Sequence, residues 1–360
     1  MKVLHVISDL RRGGRERQLA ILSSYSDPDI ENHIIAFHKM PQSYLEEYKL
    51  NIKYTRPRKI LRTIDILKYI KEKKINLIHT WGNSETLYSY PAAKLQGIPL
   101  INGSIRHGIR RNTLSQRFRS LVLKMSNYIL ANSYAGLKAN KIKINKERHF
   151  VAYNGIEEKF FTRFNKEKRV EFNSQHHLPP DAIVFISIAN FVPYKDYYTI
   201  IESLSKIKLD EIFFHYIIIG KGPMLNKIKK LIRKFGLELN ITIHSNNPDI
   251  PSLLSISDIM LHSSLGEGCS NAILEANAAG LIVIASDTGG TKEIINEWDF
   301  LFNYKDKIEL VRKIKEAIRL KLNNPDIRDK IQIATKERFS VESFVRNYNE
   351  VVNKILSNKK

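Results

Sequence analysis

The sequence contains two successive series of short, β-branched apolar runs, separated by amphipathic stretches with helical periodicity. This alternation is typical of parallel βαβ units. The first series predicts strands at 2–8, 33–38, 77–81, 100–105, 128–133 and 149–153, and the second at 183–189, 213–220, 241–244, 259–262 and 281–286. Helices are predicted at 62–73, 85–96, 114–125, 197–206, 224–235, 271–279, 307–321 and 341–355. The pattern therefore predicts an α/β protein of two Rossmann-like, doubly wound domains.

The break between the two series divides the chain into two expected domains. Asn154 and Gly155 form a turn signal, a charged stretch follows at 157–177, and Pro179 and Pro180 precede the second series. A chain of 360 residues is also longer than one hydrophobic core usually supports. We expect domains at 1–165 and 166–340, with a C-terminal helix at 341–360 that packs back on the first. Because open α/β sheets bind ligands at the carboxyl ends of their strands, we expect a cleft between the two sheets.

Three features favour a cytoplasmic protein. The longest uninterrupted apolar stretches, such as 182–189, are far too short to span a bilayer. Residues 1–8 are predicted to form a strand and lack the apolar core and cleavage site of a signal peptide. Cys269 is the single cysteine, so no internal disulfide can form.

The positive charge of the chain is concentrated in its first half. The net charge is +21; residues 1–180 contain 33 Lys and Arg against 15 Asp and Glu, whereas the remaining 180 contain 25 against 22. Such a field attracts phosphorylated substrates, polyanions or an anionic membrane surface. The alternative is a solvated basic face that binds no partner.

The predicted helix 114–125 combines basic and apolar residues. Arg117 and Arg119 accompany Phe118 and Leu121, and two further arginines precede the helix at 110 and 111. This mixture suits a helix that lies in a membrane interface, although a core-facing helix with a basic outer face has the same composition. It is consistent with a peripheral location on the inner face of the cytoplasmic membrane.

The segment 267–275 (EGCSNAILE) carries the strongest chemical signal. Glu267 follows a predicted strand and precedes a helix, so its side chain is expected at the carboxyl edge of the sheet. Ser270 and Asn271 are expected to cap that helix, which leaves backbone N–H groups to face an anion. Glu275 lies about one turn inside the helix, where its carboxylate would accept both hydroxyls of a ribose. The alternative is a capped surface helix with two incidental acids.

This segment resembles the hallmark of family 4 of the retaining glycosyltransferases, in which two glutamates lie seven residues apart. The resemblance continues at 276–280 (ANAAG), at 282–293 (IVIASDTGGTKE), upstream at 217–223 (IIIGKGP) and at 189–196 (ANFVPYKD), in the order that the family has. Together these segments cover most of 150–345. The resemblance implies the GT-B fold, a nucleotide-diphosphate sugar as donor substrate, and neither an essential metal nor another cofactor.

Residue roles follow from the resemblance position by position. Glu267 would hold hydroxyls of the donor sugar, Lys195 would neutralise the diphosphate, and Glu275 would bind the ribose. Many relatives have an arginine where this chain has Asn190. Either Asn190 contributes only hydrogen bonds, or the missing charge comes from elsewhere, such as Arg11, Arg12 or Arg106. The expected contacts of the donor are Gly13, Gly14, Asn190, Lys195, Gly220, Gly222, Gly268, Ser270, Asn271 and Glu275.

Two segments of the first half are further candidates. Gly13 and Gly14 follow the first strand and open a helix, which lets backbone approach a phosphate closely. This pair alone also suits an ordinary turn, but it resembles the glycine loop of the family. His107 follows the strand 100–105 and resembles a histidine that some relatives place near the reacting centre; polar surface is the alternative. His79 and Trp81 are weaker candidates for lining the acceptor site.

Other chemistries find little support in the sequence. Residues 27–29 (DPD) match the metal-binding pattern of another glycosyltransferase fold, but their place after the first helix favours a turn. No Cys/His spacing indicates zinc, and no nucleophile elbow indicates a serine hydrolase.

The sequence as a whole predicts a retaining glycosyltransferase of bacterial surface glycan synthesis. It would move a hexose or N-acetylhexosamine, expected to be UDP-linked, to an anionic, polyprenyl-diphosphate-linked or polysaccharide acceptor. A nucleotide-sugar epimerase of the same fold is the first alternative. A basic nucleic-acid-binding protein is the second, but it leaves Glu267 and Glu275 without purpose, so no nucleic-acid partner is expected.

Overall fold

The computed structural model describes residues 1–25, 27–40, 44, 47–108, 114–210, 212–245 and 248–357, without the side chains of 114–117 and 209. The chain forms two compact units. Unit 1 comprises Met1–Gly155 and Phe339–Lys360, and unit 2 comprises Ile156–Arg338.

Unit 1 contains a seven-stranded parallel sheet. Its strands are β1 (Lys2–Ile7), β2 (Glu31–Ala36), β3 (Ile52–Tyr54), β4 (Leu77–Thr80), β5 (Leu100–Asn102), β6 (Tyr128–Ala131) and β7 (His149–Val151). They are arranged in the order β3-β2-β1-β4-β5-β6-β7. The apolar side chains of the central strands are buried, which explains why these strands were predicted from short continuous apolar runs.

The helices of unit 1 cover this sheet, and the last helix of the chain is one of them. They are α1 (Gly14–Ser24), α2 (Lys59–Lys73), α3 (Asn83–Gln96), α4 (Leu114–Lys124), α5 (Tyr134–Ala139) and α14 (Val341–Ser357). Phe344, Tyr348 and Val352 of α14 lie in the same apolar core as Val3 and Leu19. The C-terminal helix therefore completes the core of unit 1.

Unit 2 repeats the architecture with a six-stranded parallel sheet. Its strands are β8 (Ile183–Ile188), β9 (Phe214–Ile219), β10 (Ile241–His244), β11 (Ile259–His262), β12 (Ile282–Ser286) and β13 (Phe300–Phe302), in the order β10-β9-β8-β11-β12-β13. Its helices are α6 (Lys166–Gln175), α7 (Tyr197–Leu209), α8 (Leu225–Lys234), α9 (Ile250–Ile256), α10 (Asn271–Ala278), α11 (Thr291–Ile294), α12 (Lys307–Asn323) and α13 (Ile327–Phe339). The predicted pair of doubly wound parallel sheets is confirmed.

The structure differs from the sequence prediction at short and polar elements. The three-residue edge strands β3 and β13 were not predicted, because their apolar runs are too short to stand out. Helix α6 falls in the charged stretch between the two series. It is held by polar contacts: the buried Arg169 donates hydrogen bonds to Asp258 (2.9 Å) and Asn173 (3.0 Å).

The division between the units falls between Gly155 and Ile156, ten residues before the position expected from the sequence. The reason is that the residues after Gly155 attach to unit 2. Lys336 Nζ donates to Glu158 Oε1 (2.9 Å), and Gln332 Nε2 donates to the Thr162 carbonyl oxygen (2.8 Å).

Candidate active site

The candidate site in unit 2 lies where β8 and β11 are neighbours. The strand that follows β8 in the chain, β9, lies beside β8 in the direction away from β11. The strand that follows β11, β12, lies beside β11 in the direction away from β8. Such a reversal leaves a crevice outside the carboxyl ends of the two strands, where doubly wound sheets bind ligands. The segment after β8 carries Lys195, and the segment after β11 carries Glu267.

Backbone hydrogen bonds hold these two segments together. Lys195 and Ser264 form an isolated antiparallel bridge. The Asp196 N–H donates to the Ser263 carbonyl (3.0 Å), and the Leu265 N–H donates to the Tyr194 carbonyl (2.9 Å). The position of Lys195 relative to the loop of Glu267 is therefore fixed by the main chain.

The side chains of Lys195 and Glu267 form an ion pair. Lys195 Nζ donates a hydrogen bond to Glu267 Oε1 and lies 3.3 Å from His262 Nε2. The Ser264 hydroxyl lies 3.3 Å from the same carboxylate oxygen. Burial, and then the charge of Lys195, lower the pKa of His262 to about 3. His262 is thus neutral at physiological pH and accepts a hydrogen bond from Lys195.

A glycine turn supports the backbone of Glu267. Gly289 has a φ of +58°, and a Cβ there would lie far inside van der Waals distance of the Glu267 carbonyl oxygen. The Gly290 N–H donates to that oxygen (2.9 Å). The hydroxyls of Ser286 and Thr288 both donate to the Ser264 carbonyl, at 2.8 and 2.7 Å. The turn after β12 therefore fixes the loop that carries Glu267.

Helix α10 places Glu275 in its second turn, and the side chain is buried. Ser270 occupies the N-cap position but its side chain makes no capping hydrogen bond, so the predicted side-chain cap is wrong at this residue. The buried Gly268 precedes it, and Asn271 is the first helical residue. Helix α10 therefore begins at the loop that carries Glu267, and the N-terminus of a helix carries partial positive charge.

Gly220 and Gly222 have a structural role that the sequence did not predict. A Cβ on Gly220 would clash with the Ala189 carbonyl oxygen, and a Cβ on Gly222 would lie 2.6 Å from the Phe191 carbonyl oxygen. Gly222 also has a φ of +151°. Both glycines allow the loop after β9 to pack against the loop after β8. That second loop also contains Asn190, whose side chain is exposed.

In unit 1 the predicted glycine loop follows β1. Gly13 is the N-cap of α1 and Gly14 its first residue. A Cβ on Gly13 would clash with the Glu16 carboxylate, so this glycine leaves room for a side chain of the first turn of α1. The Ser8 N–H and hydroxyl both donate to the buried Glu85, at 2.8 and 2.7 Å, which fixes the start of the loop.

The arginines considered as substitutes for the charge missing at Asn190 have local partners. Arg11 donates two hydrogen bonds to Asp9, at 2.7 and 2.6 Å, and these hydrogen bonds lower the pKa of Asp9. Arg12 lies 3.4 Å from Glu47. Arg106 donates to the Gly103 carbonyl (3.2 Å) and lies over the ring of Trp81. The charge of Arg11 is therefore largely compensated by Asp9.

The histidines predicted in unit 1 have different environments. His107 is exposed in the loop after β5. His79 and Trp81, by contrast, are buried in a cluster with His5 and Tyr348. His79 Nδ1 lies 3.1 Å from the Tyr348 hydroxyl, and Trp81 Nε1 donates to His5 Nδ1 (3.2 Å). The interpretation of His79 and Trp81 as acceptor-lining residues is therefore wrong, because both side chains are fully buried beneath α14.

Asp27 and Asp29 lie in an exposed turn, in which the Asp29 N–H donates to Asp27 Oδ1 (2.9 Å). In the part of the chain that the structure describes, no group of three or more His, Cys, Asp or Glu side chains is arranged to hold a metal ion. Over the same residues, no helix is long and apolar enough to cross a membrane.

The sequence missed His262, Ser264, Ser286 and Thr288 as parts of the site. His262 carried a usable signal, since it is a polar residue at the carboxyl end of an apolar central strand. The hydroxyl residues carried none, because Ser and Thr at strand ends are common. Their role depends on hydrogen bonds between loops that are distant in sequence.

Residues 168–338 match the family model described as glycosyl transferases group 1. This range lies within unit 2 and includes Lys195, Glu267 and Glu275. Unit 2 is therefore similar in sequence to this family over most of its length.

The chain is also similar, over part of its length, to curated proteins that are named as glycosyltransferases. The UDP-Gal:alpha-D-GlcNAc-diphosphoundecaprenol alpha-1,3-galactosyltransferase of Escherichia coli is 26% identical over 259 residues, which are 68% of this chain and 66% of the relative. The O-antigen biosynthesis glycosyltransferase WclY of Escherichia coli is 24% identical over 300 residues, which are 83% of this chain and 77% of the relative.

A solved structure shares the fold over both units. The crystal structure of Anabaena Alr3699/HepE in complex with UDP has a TM-score of 0.82 and 18% sequence identity, and the match covers 98% of this chain and 100% of that one. The fold is therefore that of the GT-B glycosyltransferases.

Proposed function

We propose that this chain is a retaining, metal-independent glycosyltransferase of family 4, which transfers a hexose or N-acetylhexosamine from a UDP-linked donor. The observation that carries the proposal is the Lys195–Glu267 ion pair at the switch point of the second sheet, next to the helix that carries Glu275. A cation for the diphosphate and a carboxylate for sugar hydroxyls thus lie in contact with each other.

The proposed mechanism depends on charge placement. Lys195 and the first turn of α10 stabilise the negative charge that develops on the departing diphosphate. Retaining glycosidases use two carboxyls about 5–5.5 Å apart, one of them a nucleophile. Glu267 already binds Lys195, so we assign it to sugar hydroxyls. The acceptor then attacks from the face of the leaving group, and the diphosphate oxygen takes up the acceptor proton. His107 is proposed to orient the acceptor.

The proposed acceptor is a polyprenyl-diphosphate-linked glycan. The galactosyltransferase relative is named for a diphosphoundecaprenol-linked sugar, and WclY is named for O-antigen biosynthesis. The high positive charge of residues 1–180 favours such an anionic substrate. We therefore assign acceptor binding to unit 1 and donor binding to unit 2.

The test is incubation with labelled UDP-sugars, with and without a polyprenyl-diphosphate glycan, in the presence of a chelator. We expect label to move to the lipid-linked glycan with the anomeric configuration of the donor retained. Epimerised donor without any acceptor product would instead establish the epimerase. Loss of activity on chelation would contradict the metal-independent mechanism.

A peripheral location at an anionic membrane surface is a second part of the proposal. Phe118 and Leu121, one helical turn apart on α4, are 47% and 60% exposed, whereas Val122 and Leu123 are buried. Arg119 donates to the Ser104 carbonyl (2.6 Å), so this arginine is engaged within unit 1. Arg110 and Arg111, and the side chain of Arg117, lie outside the described residues. The exposed apolar pair suits insertion into a membrane interface.

We expect salt-reversible binding to anionic liposomes, and the variant Phe118→Ser/Leu121→Ser should weaken it because the inserted apolar area is lost. Co-sedimentation with liposomes measures this partition. The matched control is Leu239→Ser in unit 2, which removes an even more exposed leucine and should leave binding unchanged. Equal partition onto neutral and anionic liposomes, insensitive to salt, would contradict the proposal.

A further inference from the structure

Unit 1 contains a buried arginine that lacks an acidic partner. Arg62 lies in the first turn of α2 and is only 5% exposed. Its guanidinium lies over the rings of Phe37 (4.4 Å) and Tyr88 (5.3 Å). Within the described chain no carboxylate lies within ion-pairing distance of it, and its Nε has no hydrogen-bond partner. Buried charges in proteins are normally paired, because desolvation of an isolated charge is costly.

The one hydrogen bond of Arg62 leads to an exposed imidazole. Arg62 Nη2 lies 3.1 Å from His38 Nε2, two residues past the end of β2. A guanidinium can only donate, so Nε2 of His38 accepts and the ring proton of the neutral imidazole must be on Nδ1. His38 is exposed. Arg62 therefore orients an N–H donor at the carboxyl edge of the first sheet.

The first turn of α2 contains basic side chains, which is unfavourable at the N-terminus of a helix. Arg58 is the N-cap, Lys59 is the first helical residue, and the first turn contains no acidic side chain and no side-chain cap. A helix N-terminus carries partial positive charge, which disfavours cations and favours anions. Three cations therefore lie at the positive end of a 15-residue helix whose first turn has no side-chain cap.

We propose that the first turn of α2, with His38 and Arg62, is a subsite for an anionic group, a phosphate or a carboxylate, of the acceptor. His38 makes the contact through Nδ1–H, and Arg62 is a positioning residue that also supplies uncompensated positive charge. A bound anion explains why a buried cation without an acid is retained here. The assignment of this anionic group to the acceptor rests on the proposed function, whereas the binding of an anion at this position does not.

The test measures binding directly. The full-length chain, labelled with ¹⁵N-histidine and saturated with UDP so that the donor site is filled, is titrated with inorganic phosphate at constant ionic strength. We expect saturable shifts of the His38 ring resonances, assigned with His38→Gln, and a spectrum of the Nδ1–H tautomer. A parallel titration with acetate distinguishes carboxylate from phosphate recognition. Absence of any saturable His38 shift with either anion overturns the proposal.

Arg62→Met separates positioning from packing. An unbranched apolar side chain can stay between Phe37 and Tyr88, and replacing an uncompensated buried charge is often neutral or stabilising. We expect an unchanged or raised Tm, loss of the single tautomer, and phosphate affinity weakened about ten-fold or more. A lowered Tm with unchanged phosphate affinity would show that Arg62 is only structural.

Two further variants complete the test. His38→Gln changes an exposed side chain, so folding is not at risk, and calorimetry should show weaker phosphate binding. Lys71→Gln removes an exposed positive charge from the last turn of the same helix and should leave phosphate affinity within about two-fold, since it lies far from the subsite. Equal losses in Lys71→Gln and Arg62→Met would indicate a diffuse charge effect and overturn the subsite. None of these readouts requires sugar transfer, so their outcome is independent of the transferase assay.

Discussion

Replacing Lys195 by alanine is expected to lower kcat for sugar transfer by about 100- to 1,000-fold, the usual effect of removing one group that stabilises developing negative charge. The ammonium contacts Glu267 and lies 3.3 Å from the neutral His262. Loss of the ammonium removes a positive charge from the site and leaves the Glu267 carboxylate in place. The negative charge that develops on the leaving diphosphate would then be destabilised by that carboxylate. Steady-state kinetics with saturating donor measure the effect.

Three comparison variants make this prediction specific. Lys195→Arg should recover part of the rate, because it restores the charge with a different geometry. Lys195→Ala/Glu267→Gln should be less impaired in donor binding than Lys195→Ala alone, since the carboxylate charge is also removed. Lys206→Ala, an exposed lysine on the helix that follows, should have near-normal turnover. If Lys195→Ala turned over at a similar rate to Lys206→Ala, the leaving-group charge would be stabilised elsewhere.

Glu275→Ala should weaken UDP binding by about 10- to 100-fold, because a charge-assisted hydrogen bond contributes about 1.5–3 kcal/mol and the ribose offers two hydroxyls. Glu275 is buried in the second turn of α10, so its carboxylate has a fixed position from which to accept hydrogen bonds from the ribose. Calorimetry with UDP measures the affinity without any need for an acceptor.

The loss must be separated from an effect on folding, since Glu275 is buried. Thermal unfolding of Glu275→Ala reports on the fold, and Glu275→Gln keeps the volume while removing the charge. Glu297→Ala, which changes an exposed glutamate of the same unit, should bind UDP as the wild type does. A Glu275→Ala variant that folds and binds UDP with unchanged affinity would exclude this residue from the donor site.

Much of the fold follows from the sequence, because burial on both faces of a parallel strand requires a continuous apolar run. The run at 259–262, which is buried throughout, has the same bounds as the central strand β11. Edge strand β3 and helix α6 were not predicted, because neither depends on a continuous apolar run. A three-residue edge strand needs little apolar surface, and α6 is anchored by the buried Arg169 rather than by an apolar face.

The candidate site divides in the same way. Its strongest segment, 267–275, could be recognised because an acid, a glycine and a helix start are close together in the chain. That Lys195 contacts Glu267, 72 residues away, depends on β8 and β11 being neighbours in the sheet. No local pattern encodes that neighbourhood, since it results from where each crossover returns to the sheet.

The sequence by itself determined the two α/β halves, the family-like motifs of the second half and the excess of positive charge in the first. Only the tertiary structure decided what individual polar residues do. It buries His79 and Trp81 in a core, explains Gly220 by the approach of a neighbouring loop, and places Arg62 between two aromatic rings without an acid. The physical reason is that hydrophobic periodicity records which face of an element is buried. The partner of a polar side chain is set by packing between elements far apart in the chain.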